Sequence, residues 1–199
     1  GAGFIACEFA CIFKNLGLDV TQIVRGNRLL KNFDHELSLM LQDQMQAKGV
    51  DIKFQTEIRE IKQRSQIMEL YSNQNVKIET PATLFAIGRQ PHLDDLKLEN
   101  ACVEYDSKRI KVNEFNLTSS SNIYAIGDVT NKVNLTPVAI EEGRVFADRL
   151  FGHKDRRVDY QFIPKAVFSD PEIASIGLSE DESIAIKGSE NINIFRSKF

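Results

Sequence analysis

The chain has 199 residues, 42% of them hydrophobic and 27% charged, with a net charge of −3. That length and apolar share bury a real core in one large domain or two small ones. Its basic residues are scattered among acids, which excludes a nucleic-acid surface, and its apolar stretches fall far short of the roughly 20 residues of a membrane span.

Cys7, Cys11 and Cys102 are odd in number and lack metal-ligand spacing, so neither a secreted disulfide framework nor a metal site is expected. A reducing compartment fits, the cytoplasm first, with an organelle left open. The chain starts at Gly1 with neither a charged leader nor a cleavage-type signal, which predicts a piece of a longer protein.

In chain order, residues 4–16 read as a helix and the β-branched alternation of 20–24 as a strand. A second helix follows, with Leu37, Met40, Leu41 and Met45 on one face. A third unit starts at Val50. Residues 58–78 hold short alternating runs with breaks at 63–65 and 72–75, predicting an antiparallel meander, and 83–87 return as a buried strand. After Arg89 the texture turns polar, with strand-like runs at 110–112 and, more strongly, 123–126. Thr136-Pro137 opens a helix to about Phe151, threonine as N-cap and proline first in the helix, with Ala139, Gly143, Phe146 and Leu150 on its inner face. Residues 165–168, 173–177 and 192–195 read as strands, and 180–186 as a short helix.

Three motifs carry chemistry. Gly1-Ala2-Gly3-Phe4-Ile5-Ala6 is a GxGxxA turn running into a helix, so backbone N–H groups face a pyrophosphate with no side chain between. An NAD-binding unit places an acid after its second strand to accept the ribose hydroxyls; here that residue is Arg25, with Arg28 and Lys31 nearby, which favours the extra phosphate of NADPH. The third is Gly127-Asp128, a carboxylate at the end of a strand and able to accept hydrogen bonds from a polyol. Thr136-Pro137 then offers a helix N-terminus to an anionic group such as a reduced flavin.

Together with residues 85–89, 112–115, 135–140 and 163–177, these stretches resemble the pyridine-nucleotide disulfide oxidoreductases, and within them the glutathione reductases. The resemblance runs through nearly the whole chain in the family's order. It implies an α/β, Rossmann-like FAD/NAD(P)-binding three-layer fold with the start of an α+β dimerisation domain. Residues 1–89 would form the NADPH-binding domain without its first strand, 90–161 the second FAD segment, and 162–199 the beginning of the dimer-interface domain.

On the NADPH side the resemblance implies Gly1, Gly3, Phe4, Ile5, Ala6, Glu8, Arg25, Lys31, Gly88 and Arg89. Phe4 would cover the nicotinamide pocket, and Glu8 would pair with a flavin-side lysine. On the FAD side it implies Gly127, Asp128, Leu135, Thr136 and Pro137, with Asp128 on the flavin ribitol and Thr136 setting its helix against the isoalloxazine. His92 departs from the family's usual asparagine. The redox Cys-x4-Cys pair and the acid/base histidine with its glutamate lie outside this chain, and Cys7 and Cys11, four apart on a predicted helix, read as small core residues.

The implied parent is a homodimeric, NADPH-dependent FAD flavoenzyme reducing glutathione disulfide, of which this chain alone would be inactive and poorly stable. Alternatives are a related reductase of trypanothione, dihydrolipoamide or mercuric type, or a non-catalytic nucleotide-binding fragment.

Overall fold

Small apolar residues at positions 6, 7, 10 and 11 recur at the spacing of one helix face. In the computed structural model, which describes residues 1–197, they are the buried side of α1 (Phe4–Asn15). Gly17, at φ +87°, turns the chain out of the helix in the left-handed region, its N–H bonding the Lys14 carbonyl at 2.9 Å.

Two compact units form, one from Gly1–Gly88 with the chain from Pro164 onward, the other from Arg89–Ile163. In the first, β1 (Thr21–Ile23) and α2 (His35–Ala47) lead to β2 (Asp51–Lys53), which pairs with β1 in parallel, Thr21 opposite Asp51. The Asp34 carboxylate caps α2 by accepting from the Glu36 N–H at 2.9 Å. The expected inner face of α2 needs correction: Ser38, Leu41 and Met45 are buried, Leu37 is half-buried, and Met40 is exposed. Met40 sits one step round from the stripe that the other three define.

The expected meander is present, β3 (Ile58–Arg64), β4 (Ile67–Ser72) and β5 (Lys77–Thr80) pairing antiparallel in that order. Residues 83–87, expected as a buried strand, join no ladder, and Leu84, Phe85 and Ile87 are exposed. An apolar run becomes a buried parallel strand only with neighbours on both edges, and among the described residues nothing pairs with it.

In the second unit, β6 (Tyr105–Asp106) and β7 (Arg109–Ile110) form a two-residue ladder. The strand expected at 110–112 thus starts and stops earlier. The stronger one expected at 123–126 is reduced to a single bridge, Leu117 to Tyr124. Leu93, Val103, Ile110 and Ala125 nonetheless form the core of this unit, so the apolar pattern marked burial correctly and regular pairing wrongly. α3 (Thr136–Leu150) buries Val138, Glu142 and Val145. The face predicted for it is displaced: Ala139, Gly143 and Phe146 flank the buried stripe, and Leu150 is exposed.

The chain returns to the first unit at Pro164. There β8 (Lys165–Val167) and β9 (Ile173–Ser175) form an antiparallel hairpin. Val167 joins the core of Cys7, Cys11, Leu29, Leu41, Met45 and Ile52. α4 (Glu180–Lys187) starts with a capping box between Ser179 and Glu182. Residues 192–195, expected as a strand, are in no ladder.

Candidate functional site

The first unit gathers the glycine turn and the basic loop. Gly1 is packed so closely that a Cβ there would lie 1.8 Å from the Ala86 carbonyl oxygen, which no side chain survives. Its amine donates to the Ile23 carbonyl at 2.8 Å, and its own carbonyl accepts from the Gln22 side-chain amide at 2.9 Å. Gly3 differs: a Cβ there would meet nothing within 4 Å, so the space in front of α1 is open. The first turn of α1, Phe4, Ile5 and Ala6, has no side-chain cap and no acid, which leaves its amides and the positive end of the helix for an anion.

Arg25 follows β1 and is exposed. The loop that carries it is tied to the glycine turn, since Leu30 donates its N–H to the Ala2 carbonyl at 2.8 Å. Arg28 donates to the Lys31 carbonyl at 2.8 Å, stiffening the same loop. Among the described residues neither Arg25 nor Lys31 pairs with a carboxylate. The turn and the loop that sequence spacing alone suggested as partners are therefore neighbours.

Glu8 accepts the Phe168 N–H at 2.9 Å and pairs with no lysine among the described residues. Gly88, at φ +138°, closes the first unit and Arg89 opens the second. Cys7 and Cys11 are free and buried. Burial pushes the Cys7 thiol up to about 11, with a smaller opposing effect from its Gln22 contact, and burial raises Cys11 as well. Neither thiol is a ready nucleophile.

In the second unit, Gly127 takes φ +72° and opens a turn over Gly127–Thr130, with a Cβ position 3.2 Å from that of Ala139. The Thr130 hydroxyl donates back to the Gly127 carbonyl at 2.9 Å. Asp128 is exposed, and its carboxylate has no hydrogen-bond partner among the described residues. Thr136, expected as the N-cap of α3, is instead its first residue; Leu135 takes the cap position without a side-chain bond, and Pro137 comes second. The shift leaves the start of α3 equally free of side-chain acceptors.

Sequence reasoning missed Glu142. It is 1% exposed, although a glutamate. One of its oxygens accepts the Gly127 N–H at 2.5 Å and the other the Tyr160 hydroxyl at 2.7 Å. Lys132 lies 3.5 Å from that hydroxyl and donates to the Asn116 side chain at 2.6 Å. Burial first, and the bond to Glu142 second, raise the Tyr160 phenol well above its ordinary range; burial lowers Lys132, with Glu142 opposing. The available signal was a glutamate at the i, i+4, i+7 spacing of Val138 and Val145, where a buried stripe leads one to expect an apolar residue.

The family model for pyridine nucleotide-disulphide oxidoreductases matches residues 1–143. The chain belongs to that family. A glutathione reductase from Burkholderia cepacia is 42% identical over the whole of this chain, and one from Nostoc sp. is 40% identical. These matches take in 44% and 46% of those relatives, so the chain spans under half of their length. Among solved structures, the HOCl-induced flavoprotein disulfide reductase RclA from Escherichia coli superposes with a TM-score of 0.87 at 28% identity, covering 93% of this chain and 43% of that one. LpdA from Mycobacterium tuberculosis, at 23% identity and a TM-score of 0.87, shares the fold. The fold class is α/β, of the kind found in flavoprotein disulfide reductases. Among the described residues no helix is long and apolar enough to cross a membrane, and no group of three or more His, Cys, Asp or Glu is placed to hold a metal.

Proposed function

We propose that the chain supplies the NADPH side and the second FAD segment of a homodimeric flavoenzyme that reduces glutathione disulfide. The observation that carries this is the Leu30-to-Ala2 hydrogen bond, which fastens to an open glycine turn a loop bearing Arg25 and Lys31, cations without a carboxylate partner among the described residues. The residues fit the groups they would hold. Gly3 leaves room for a pyrophosphate, and the exposed Asp128 carboxylate and the uncapped start of α3 leave acceptor and positive potential for a polyol and an anionic ring.

In this arrangement the turn from Gly1 to Ala6 binds the pyrophosphate of NADPH through backbone N–H groups. Arg25 would pair with the 2′-phosphate, and Lys31 would add a point charge. By the family resemblance, Phe4 would cover the nicotinamide pocket, and Glu8, Gly88 and Arg89 would count among the residues of the NADPH side. FAD, when bound, would supply the two-electron carrier between NADPH and a protein disulfide of the parent. Asp128 accepts hydrogen bonds from the ribitol. Leu135, Thr136 and Pro137 set the start of α3, whose partial positive charge favours negative charge on the ring. Cys7 and Cys11 stay protonated in the core and take no part. Residues 1–89, 90–161 and 162–199 then belong to the NADPH, FAD and interface domains of the parent, in the cytoplasm.

The test is nucleotide oxidation by the full-length protein with a panel of disulfides. Turnover with NADPH and glutathione disulfide is expected. Turnover confined to NAD(H) and the dihydrolipoamide couple, or to trypanothione disulfide or mercuric ion, would overturn the substrate assignment.

A further inference from the structure

A carboxylate buried at 1% exposure is costly unless its oxygens are matched by donors, so its position in a fold has a consequence. Glu142 lies in the second turn of α3, and its side chain reaches back to the loop before the helix. One oxygen accepts the Gly127 N–H at 2.5 Å, and the Tyr160 hydroxyl supplies a donor to the other at 2.7 Å. Tyr160 is itself placed by Lys132, whose ammonium is 3.5 Å from the hydroxyl and 5.3 Å from the centre of the ring. Lys132 is anchored by the Asn116 side chain at 2.6 Å and the Asn113 carbonyl at 3.4 Å.

The Gly127 amide belongs to the residue before Asp128, and Gly127 holds a left-handed φ of +72° that the chain must maintain. The carboxylate therefore fixes two things to each other: the turn that aims Asp128, and the helix whose N-terminus begins six residues before Glu142. We infer that Glu142 is a positioning residue for the flavin, a buried brace that locks the Gly127-Asp128 turn onto α3, with Tyr160 and Lys132 holding the brace in place. This rests on the flavin assignment above and adds to it a determinant of flavin retention that does not itself touch the flavin.

The experiment uses the full-length protein and compares Glu142→Leu with Glu142→Gln, which have similar volume and differ in whether an acceptor remains for the Gly127 N–H. With leucine, FAD release is expected to accelerate about tenfold or more, as loss of a charge-assisted hydrogen bond implies. With glutamine it should stay within about threefold of the native rate, because one acceptor remains. The glutamine variant should also move the flavin midpoint potential in the positive direction, since a buried negative charge is gone; a residue that only filled space would not produce this.

Equal retention by the leucine and glutamine variants would overturn the inference. If the leucine variant does not fold, Glu142→Asp withdraws the carboxylate by one methylene and should accelerate release in the same sense; native retention there would overturn it too. A native protein that takes up no FAD on reconstitution would sink the flavin assignment instead. In that case hydrogen exchange at the Gly127 amide decides alone, with faster exchange in the leucine or aspartate variant than in the glutamine variant supporting the brace and equal exchange refuting it.

Discussion

At Gly1 the turn is held by neutral partners: a backbone carbonyl, a buried glutamine amide and a loop N–H, with Ala86 pressed against the place where a side chain would start. At Gly127 the turn is held by a buried charge, the Glu142 carboxylate, satisfied by one amide and one phenol. Both solutions leave a helix start without a side-chain cap. They differ in what they tolerate. A neutral turn packed against backbone fails by steric insertion, whereas a charged brace fails when a donor or acceptor is removed.

The largest effect expected follows from that contrast. Gly1→Val in the full-length protein forces a side chain into the Ala86 carbonyl and should cost about 3 kcal/mol, the upper end for overpacking, with loss of nucleotide binding. Gly3→Ala, in open space, should change stability by less than about 0.5 kcal/mol. Thermal unfolding of the two variants checks the pair; similar shifts in Tm would mean that the first glycine is not packed as described.

Next in size is the selectivity of the basic loop. Arg25→Glu should weaken NADPH binding by roughly 10- to 100-fold, the range for a charge-assisted hydrogen bond, and leave NADH binding nearly unchanged. Titration of nucleotide fluorescence measures both. Equal losses for the two nucleotides would remove Arg25 from the phosphate site and leave the glycine turn as a generic dinucleotide cradle.

How much of this was legible follows the same division. The glycine turn, α1, β1 and the loop through Lys31 are contiguous, and the roles proposed for them rest on local spacing: small residues on one helix face, a β-branched strand, a cation just beyond it. Local spacing also located α3, although its cap fell one residue early, because no side-chain bond favoured Thr136 over Leu135. Residues 83–87 and 123–126 were misjudged because a strand is defined by what pairs with it, and apolar character reports burial more directly than pairing. Glu142 escaped for a further reason. Its partners Gly127 and Tyr160 lie 15 and 18 residues away, and nothing in a charged residue's identity announces that it will be buried.

The smallest effect concerns the core thiols of the first unit, and it separates them from chemistry at either turn. Burial raises Cys7 from an ordinary 9.0 to about 11, so its protonated form is favoured in the folded state. A group whose pKa rises on folding contributes stability that is complete below its unfolded pKa and is lost as pH climbs through the folded one. The window is therefore pH 9 to 11, and at pH 10 the loss from Cys7 is about 1.4 kcal/mol, one unit's worth. Cys11 shifts in the same direction and adds to it. Alkylation resolved by mass spectrometry should label exposed Cys102 at pH 8 while Cys7 and Cys11 stay protected until the alkaline window opens. A Cys7→Ala variant should flatten the alkaline decline in stability. Rapid labelling of Cys7 at pH 8 would show that the face of α1 beneath the glycine turn is not closed, and the rigidity ascribed to that turn would go with it.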